Sequence, residues 1–481
     1  MSFRKIVCLL ASLLYFALAT LPAAGFTIPE LPWVQDVGAR TQPTSKMVVS
    51  ANDFGAKGDS VTLNTVAIQS AIDACYARGG GVVTFQPGKY RTGSLFVLSN
   101  VTLQVDQGVT LLGSQDLKDY KMIFTRVAGI EMEWPSALIN VLSQNNVAIT
   151  GSGLIDGQGN PFWDKYWTMR RDYESKGLRW IVDYDCTRPR LMLISESTNV
   201  TVKGLRLQRP GFWTLHILYS SHVTVDGVVI RNNIGGHGPS TDGIDIDSSS
   251  KILVQNSDID CNDDNFCLKA GRDWDGLRVN RPCEYIVIRD CISRAGGGLF
   301  TCGSETSGGI RNVLAYNIKA IGTSVCLRFK SALTRGGTVE NIYLRDIEMS
   351  NVGTAFEATC NWNPSYSYSV MPQGYTWESM PQHWRVMLTP PEPEEQGIPH
   401  FKNIYVQNIQ GTARTGISAS GVAQTILEHF NFSNVRIQAG RAGSISYASD
   451  WNSEGLVFTN ASGQVQALSV NPQNTRNMNL K

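Results

Sequence analysis

A loose repeat of short apolar strands, each ending at a polar turn, most constrains what this chain can fold into. From residue 100 onward, segments that begin with a polar residue continue with residues rich in Val, Ile and Leu. They begin at residues 100, 146, 199, 222, 251, 284, 312, 341 and 403. A chain with several strands in each repeat of this length can bury its inward side chains only by stacking neighbouring coils.

The repeat favours an all-β fold, a single right-handed parallel β-helix that forms the catalytic domain at residues 48–465. The composition agrees, because charged residues make up only 17% of the chain and 45 residues are Gly, which favours strands and turns over helices. A β-sandwich is the alternative fold. It would favour tight hairpins with Asn-Gly turns, and the sequence contains none.

An N-terminal helix is predicted to cover the first coil of the solenoid. The apolar residues that recur there at helical spacing are Val66, Ile68, Ala71, Ile72 and Cys75. Asn64 is a candidate N-cap, and Gly79 to Gly81 end the helix. We expect this helix to act as a cap, because an uncovered end of β-structure invites pairing with other chains.

The segment 1–25 has the features of a secretory signal peptide. Basic Arg4 and Lys5 precede an apolar run at residues 6–18, and small residues at 23–25 permit cleavage before Phe26. A membrane anchor is the alternative, but the run is short for a span of about 20 residues. We therefore expect an exported protein, extracellular or periplasmic, with a leader at residues 26–47 and a polar tail at residues 466–481.

Nine cysteines follow the predicted signal peptide, and an odd number leaves at least one thiol unpaired within the chain. The interval from Cys267 to Cys291 equals the interval from Cys302 to Cys326. In a coil of that period each pair would lie one above the other, either stacked or joined by a disulfide, which export permits. No Cys-x-x-Cys pair is present, so we do not expect a zinc site.

Two aromatic-rich inserts interrupt the repeat, at residues 158–185 and 355–399. Long loops on a solenoid project from one face and shape a binding site. Their aromatic residues either stack against sugar rings or pack the loops onto the solenoid.

The chain has 42 basic and 41 acidic residues, so it lacks the basic excess of a nucleic-acid-binding protein.

Two acidic segments carry the candidate chemistry. Asp242 precedes the alternating stretch at residues 244–247, and Asp263 and Asp264 precede a second one at 266–269. If the chain coils with the period that separates Asp242 from Asp263, the two segments lie side by side on neighbouring coils. Crowded carboxylates resist ionising together, so the pKa of at least one should rise. A protonated carboxyl could then protonate a leaving group while an ionised one activates water, as in inverting glycosidases.

Cationic residues on later strands suggest an anionic substrate. Arg328 and Lys330 flank Phe329 on a predicted strand, so they face the same way while Phe329 points inward. On the coil after the acidic segments, they could bind a sugar carboxylate. Lys269 is a third predicted substrate-binding residue. The alternative for the acidic segments is a solvated turn or a calcium site.

Over about residues 48–440 the sequence resembles the polygalacturonase family, glycoside hydrolase family 28. The resemblance includes residues 53–59, 149–157, 188–191 and 210–216. Its most specific parts are Ser240-Thr241-Asp242, where the family has Asn-Thr-Asp, the pair Asp263-Asp264, and Arg328-Phe329-Lys330, where the family has Arg-Ile-Lys.

This resemblance implies hydrolysis of α-linked galacturonan in pectin with inversion, without a metal or other cofactor. Asp263 would be the general acid, and Asp242 and Asp264 would activate water. Arg328 and Lys330 would bind the carboxylate of the substrate. We expect a monomer whose partner is the pectic polysaccharide, with no nucleic acid and no membrane after removal of the signal peptide.

One departure from the family concerns its active-site histidine. The family's Gly-His-Gly falls at Gly296-Gly297-Gly298, and the segment at residues 303–309 is similar to a bacterial and plant-like branch that also lacks this His. The departure leaves the polymer open among galacturonan, rhamnogalacturonan and substituted galacturonan, and leaves open an exo-cleaved oligomer. His237 is either a partial substitute or an ordinary loop residue.

Two further functions compete with a hydrolase. A calcium-dependent pectate lyase shares the solenoid and would use the acidic residues as metal ligands and an Arg as base. A non-catalytic β-helix would only bind polysaccharide. Endo and exo action are both open for the hydrolase, and an insert at residues 355–399 that closes one end of the cleft would favour exo action.

Overall fold

The computed structural model describes residues 26–481, so the predicted signal peptide lies outside the described residues. The strands in chain order are β1 Val48–Ser50, β2 Asp59–Leu63, β3 Gly81–Thr84, β4 Gly88–Thr92, β5 Leu95–Phe96, β6 Val101–Gln104, β7 Val109–Gly113, β8 Met122–Val127, β9 Ile130–Pro135, β10 Ile139–Leu142, β11 Asn145–Thr150, β12 Leu154–Asp156, β13 Met192–Ser195, β14 Thr198–Lys203, β15 Arg206–Gln208, β16 Leu215–Leu218, β17 Ser221–Asp226, β18 Val229–Arg231, β19 Ile244–Asp247, β20 Ser250–Gln255, β21 Asp258–Asp260, β22 Phe266–Lys269, β23 Cys283–Ser293, β24 Gly298–Cys302, β25 Ile310–Ile321, β26 Val325–Lys330, β27 Thr338–Thr359, β28 His400–Ser420, β29 Leu427–Ser446, β30 Ala448–Ser449, β31 Asn452–Thr459, β32 Ser469–Val470, β33 Thr475–Arg476 and β34 Asn479–Leu480.

The helices are fewer and lie mostly outside the coils. The α-helices are α1 Thr65–Ala77, α2 Asn160–Ser175, α3 Val182–Asp185, α4 Asp273–Val279, α5 Pro364–Ser367 and α6 Gln382–Leu388. Four short 3-10 helices span Pro32–Asp36, Ala51–Phe54, Leu117–Asp119 and Glu394–Gly397. None of the helices in residues 26–481 has the length and apolarity required to cross a bilayer.

The strands stack into the faces of a right-handed parallel β-helix, as the repeat predicted. One face runs through β11, β14, β17 and β20, and a second through β12, β15, β18 and β21. The third runs through β13, β16, β19, β22, β24 and β26. The long strands β27, β28 and β29 bend from one face to the next. The inward side chains form one core along the whole solenoid, from Val49 to Phe458.

Helix α1 covers the N-terminal end, as predicted, and buries Ile68, Ala71, Ile72 and Cys75 in that core. Asn64 stands at the N-cap position, but its side chain does not cap the helix. Its Oδ1 instead accepts from the backbone of Lys57 at 2.7 Å, and its Nδ2 donates to the carbonyl of Thr62 at 2.7 Å. The side chain therefore ties the preceding turn to the start of α1.

The leader and the tail both lie along the coils. In the leader, Gly38 donates to the carbonyl of Lys251 at 2.9 Å, and Trp33 packs against Tyr285 with the ring centroids 5.8 Å apart. At the other end of the chain, residues 466–481 contain β32, β33 and β34, which pair with β29, β30 and β31. The leader thus crosses several coils, and the tail extends the last one.

The prediction that two pairs of cysteines lie one above the other on neighbouring coils is wrong. Cys267 pairs in register with Thr301, not with Cys291, because the coil from β22 to β24 includes α4 and is longer than the interval between those cysteines. Cys302 pairs in register with Phe329, not with Cys326. All nine cysteines of the described chain are buried and unpaired.

The inserts fold as helices rather than open loops. The first contains α2 and α3. The second begins later than predicted, because β27 continues to Thr359, and it contains α5 and α6. An antiparallel hairpin, β8 with β9, forms a third projection that the repeat did not predict. All three projections arise next to the third face.

Candidate active site

The predicted site residues lie together on the third face of the solenoid. The register there aligns Ile244 with Phe266, Phe266 with Phe300, and Phe300 with Leu327. The first of these steps is one position longer than the interval from Asp242 to Asp263 that the sequence suggested. The backbone N–H of Gly243 donates to the carbonyl of Asp264 at 2.9 Å. Asp242 therefore lies beside Asp264, with Asp263 directly before it.

The cationic pair lies one strand farther away than predicted. Strand β24 separates β22 from β26, so Arg328 and Lys330 are two coils after the acidic pair. Phe329 points into the core and is fully buried, as predicted. The contact with the acids is nevertheless direct, because the long side chain of Lys330 reaches back across β24.

Alternation along these strands explains why polar residues meet here. Ile244, Ile246, Phe266, Leu268 and Phe329 point into the core and are at most 1% exposed. The residues between them point outward, into a narrow cleft covered by the inserts. This cleft is lined by Asp242, Asp263, Asp264, Lys269 and Lys330, together with Ala128, Arg179, Asp183, Phe212, Trp213, Ser240, Ser304, Glu305, Trp362 and Tyr366.

Asp264 is held in its ionised form. The Nζ of Lys330 donates to its Oδ2 at 2.8 Å, and Nη1 of Arg328 lies 3.7 Å from its Oδ1. Burial opposes ionisation, but Lys330 and Arg328 outweigh it and lower the pKa of Asp264 to about 2. Arg328 is shared with Glu357, whose Oε1 accepts from Nε at 2.8 Å.

The surroundings of Asp242 and Asp263 instead favour the protonated form of each carboxyl group. Burial raises the pKa of Asp242 well above its ordinary value, and the neighbouring Asp245 and Asp263 add to the rise. Desolvation in the cleft, followed by the charge of Asp264, raises the pKa of Asp263. Among the three predicted catalytic residues, Asp264 is therefore an ionised carboxylate beside two carboxyl groups that keep their protons to higher pH.

Lys269 is at the centre of a buried cluster of carboxylates. Its Nζ lies 3.2 Å from Oε2 of Glu305, 3.6 Å from Oδ1 of Asp245 and 3.8 Å from Oδ2 of Asp242. It also lies 4.8 Å from the centroid of Trp213. The ammonium group links the strand of Asp242 to the turn of Glu305, so it orients the acidic groups besides facing the cleft.

The position of the absent histidine is directly beside the acids. A Cβ added to Gly297 would lie 3.2 Å from Oδ1 of both Asp263 and Asp264. Glycine leaves that side of the two carboxyl groups uncovered. His237 does not fill the space: it is exposed, and its ring stacks on Trp167 with the centroids 5.3 Å apart.

The inserts and the hairpin together form a roof over the cleft, which we define as residues 122–135, 160–185 and 360–388. Together with Phe212 and Trp213, which precede β16, their apolar side chains form a second core, separate from that of the solenoid. It contains Val127, Ala128, Ile130, Trp134, Leu178, Trp180, Ile181, Tyr184, Phe212, Trp213, Met380, Trp384 and Met387. Asp185 joins the two inserts, since Nε1 of Trp384 donates to its Oδ1 at 2.9 Å.

The sequence did not single out several residues of the cleft as site residues. Asp245, buried behind the cleft, lies in the same motif as Asp242, and Glu305 lies in the segment at residues 303–309. An acidic residue within each of these motifs was the available signal. Arg179 and Tyr366 come from the inserts, where no local pattern distinguishes a cleft residue from one that packs the loop. Only the tertiary contacts of the roof identify them.

A metal site fits these residues poorly. Asp242, Asp264 and Cys267 are the only group of three potential ligands within 4.8 Å of one another in residues 26–481. Calcium prefers oxygen ligands, and burial raises the pKa of the Cys267 thiol well above its ordinary value. Lys330 already occupies one oxygen of Asp264. The donor set does not favour a calcium-dependent mechanism.

Comparisons with known proteins agree with the fold and with the predicted family. The family model described as glycosyl hydrolases family 28 matches residues 83–365. A second, described as rhamnogalacturonase A/epimerase, pectate lyase-like, matches residues 48–116. The chain therefore belongs to glycosyl hydrolase family 28, whose members hydrolyse glycosidic bonds, and the predicted family is confirmed.

Individual relatives point the same way. A probable polygalacturonase of Vitis vinifera is 30% identical over 390 residues, 77% of this chain and 72% of the relative. An exo-poly-alpha-D-galacturonosidase of Dickeya chrysanthemi is 28% identical over 450 residues, 86% of this chain and 71% of the relative. Among solved structures, an exopolygalacturonase from Thermotoga maritima superimposes with a TM-score of 0.73 at 25% identity, covering 89% of this chain and 94% of that one.

Proposed function

We propose that this family 28 hydrolase cleaves α-linked galacturonic acid units of pectic polysaccharide with inversion. The observation that carries the proposal is the placement of three adjacent carboxyl groups next to Arg328 and Lys330, which contact only one of them, Asp264, directly. The pKa of Asp264 is lowered, while the pKa values of Asp242 and Asp263 are raised. An acid and a base of different pKa on one surface are what hydrolysis of a glycosidic bond requires.

In this mechanism Asp263 is the general acid. It is only partly covered, and the uncovered side at Gly297 leaves it accessible to a leaving-group oxygen. Asp242 and Asp264 activate the water. Asp264 is ionised because its pKa is about 2, so it orients the water and accepts its proton, and Asp242 shares this role once it has lost its own proton.

The substrate class follows from the cations and from the relatives. Lys330 lines the cleft, and Arg328 lies next to it on the same side of β26, two coils after the acidic pair. Both can bind a sugar carboxylate. Lys269 contributes positive charge at the floor of the cleft. The Vitis and Dickeya relatives are named as enzymes that act on galacturonan, which supports the same substrate class here.

We further propose exo action. The two inserts pack into one core and meet at Asp185, where Nε2 of His383 lies 2.5 Å from Oδ1. A long polymer could not cross a cleft covered in this way without opening the roof. The polymer would instead enter the cleft by one of its chain ends. The Dickeya and Thermotoga relatives are both named as exo-acting enzymes, which supports this proposal.

Export is part of the proposal, because pectin is a polymer of the cell wall. It rests on the basic and apolar residues of positions 4–18, which lie outside the described residues. Cell fractionation tests it: the protein should lack residues 1–25 and be found in the medium or the periplasm. A full-length cytoplasmic product would contradict it.

The direct test is a product assay on polygalacturonate, rhamnogalacturonan and xylogalacturonan. Hydrolysis gives reducing ends without ultraviolet-absorbing unsaturated products, and NMR of the fresh product gives an inverted anomer. Exo action releases mono- or disaccharides with little loss of viscosity. Unsaturated products together with inhibition by a chelator would overturn the assignment in favour of a lyase.

A substitution of Asp263 tests whether this residue is the general acid. Asp263→Asn should lower kcat by about 10²- to 10⁴-fold while the affinity for galacturonate oligomers is retained. Asp260→Asn is a matched control, because Asp260 lies on the second face and accepts from Asn233 at 2.8 Å. Full activity of the Asp263→Asn variant would exclude Asp263 as the acid.

A further inference from the structure

One cation in the cleft has no role in the mechanism above. Arg179 lies in the turn between α2 and α3, in the first insert, and its side chain lines the cleft together with Asp242 and Asp263. The side chain is 13% exposed. No other basic residue of the inserts lines the cleft within the described chain.

The guanidinium of Arg179 is fixed in orientation. Its Nη1 donates to Oδ2 of Asp183 at 2.6 Å, and its Cζ lies 4.8 Å from the ring centroid of Tyr366. The ring of Tyr366 is itself held by Arg272, whose Cζ is 4.5 Å from the same centroid. An arginine held in this way loses little conformational entropy when it binds a ligand.

The positive charge of Arg179 is only partly neutralised. Asp183 also pairs with Arg188, whose Nη2 lies 3.4 Å from Oδ1, so one carboxylate faces two guanidinium groups. Ser240 donates to the same Oδ1 at 3.1 Å. The Nε of Arg179 has no hydrogen-bond partner among the described residues, and Oε1 of Glu174 lies 3.8 Å from it.

Arg179 and Lys330 approach the catalytic carboxylates from different coils. Asp183 is tied to Ser240, which precedes Asp242 on the coil of β19. Lys330 belongs to β26, three strands farther along the same face. Neighbouring strands are about 4.8 Å apart, and Nζ of Lys330 donates to Oδ2 of Asp264, one strand beyond Asp242, at 2.8 Å. The two cations therefore approach the catalytic carboxylates from opposite sides, where they can bind adjacent sugar units.

We infer that Arg179 is a second carboxylate-binding residue of this cleft, which holds a galacturonate unit on the side of the catalytic carboxylates away from Lys330. The inference rests on the proposed function and deepens it: the enzyme requires free carboxylates on two sugar units. Because Arg179 belongs to the roof, an acidic unit is recognised where the roof closes the cleft.

The experiment compares kcat/KM for three trimers: trigalacturonate, and two trimers that each carry one methyl ester, on either terminal unit. Arg179→Gln should lower kcat/KM for trigalacturonate by about 10- to 100-fold, the effect of one charge-assisted hydrogen-bonded pair. For one of the two esterified trimers it should cause no loss relative to wild type, because the carboxylate that Arg179 binds is already absent. The kcat/KM of Arg179→Lys for trigalacturonate should lie between those of the wild type and of Arg179→Gln.

Arg171→Gln is the matched control, since Arg171 is an arginine of the same insert whose Nη2 donates to Thr168. An equal loss on all three trimers would overturn the inference in favour of a structural role, and no loss on any would overturn it outright. A wild-type enzyme that does not cleave trigalacturonate would instead refute the proposed function.

A binding measurement decides the role of Arg179 without turnover. In an Asp263→Asn background, calorimetry of trigalacturonate should give about 10- to 100-fold weaker affinity when Arg179→Gln is added. Equal affinity with and without the second substitution would contradict the inference, whatever the activity assay shows.

Discussion

At the residue scale, two buried aspartates one strand apart differ in protonation. Asp264 has two cations beside it, and its pKa is about 2. Asp245 is fully buried, and neither of its carboxyl oxygens has a hydrogen-bond partner in the described chain. Burial raises the pKa of Asp245 well above its ordinary value, although Lys269 opposes the shift. The difference arises from direct pairing: only Asp264 accepts a hydrogen bond from a cation.

The raised pKa of Asp245 has a consequence for stability. A folded-state pKa above the unfolded value means that the native protein binds the proton more tightly. The contribution to stability is fully present below the unfolded pKa of about 3.9 and is lost as the pH rises through the folded pKa. Asp245 therefore destabilises the protein at neutral pH relative to acid pH.

We predict that Asp245→Asn raises the melting temperature at pH 7 by about 1–3 °C, with a smaller gain at pH 4. Asn keeps the shape of the side chain and removes the buried charge, while Lys269 keeps Glu305 as a partner. Scanning calorimetry at both pH values measures the difference, with Asp260→Asn as control. A gain that shrinks as the pH rises from 4 to 7 would show that the sign is wrong.

At the element scale, the cationic strand β26 is held in place by its inward residue. Phe329 packs against four aromatic rings, those of Phe300, Phe356, Phe401 and Phe430, with centroids 5.5–6.3 Å away. These rings belong to four other strands. One side chain in the core thus positions Arg328 and Lys330 on the opposite side of the same strand.

We predict that Phe329→Ala costs about 3–5 kcal/mol of stability, because it leaves a cavity among aromatic neighbours that cannot close around it. It should also lower kcat/KM, since Arg328 and Lys330 lose their support. Phe329→Leu should cost less in both measurements. Denaturant unfolding and a galacturonan assay measure the two effects, and a stable, fully active Phe329→Ala protein would contradict the prediction.

The inserts illustrate the limit of local patterns at this scale. Their aromatic content indicated a binding surface, but Trp180 and Trp384 are buried in the second core, whereas Trp362 and Tyr366 line the cleft. No local sequence pattern distinguishes a tryptophan that packs an insert from one that lines the cleft. Their distinction depends on which coil the insert folds back upon.

At the scale of the whole molecule, the leader crosses the outside of several coils. Ala39 donates to Oγ1 of Thr224 at 2.8 Å, and Arg40 donates to Oδ1 of Asn199 at 3.0 Å. Farther along the solenoid, Phe26 packs against Tyr405 with the centroids 5.7 Å apart. Thr224 and Asn199 belong to the first face, which bears β14 and β17, and the cleft lies on the third.

We predict that removal of residues 26–43 lowers the melting temperature and leaves kcat/KM on polygalacturonate unchanged. The leader links coils that otherwise touch only their immediate neighbours, and such links raise the cooperativity of a repeat structure. Calorimetry and a reducing-end assay measure the two quantities. Activity that falls in parallel with the melting temperature would show that the leader also supports the cleft.

The sequence by itself determined the solenoid, the in-and-out alternation of its strands and the acidic and basic residues that meet on one face. These depend on a period of two along the backbone, which is a local property. Only the tertiary structure decided the register between the two acidic segments, the strand between the acids and the cations, the unpaired cysteines and the roof that brings Arg179 to the cleft. Those features depend on the length of each coil and on where each insert packs, and neither is encoded in the pattern of a single strand.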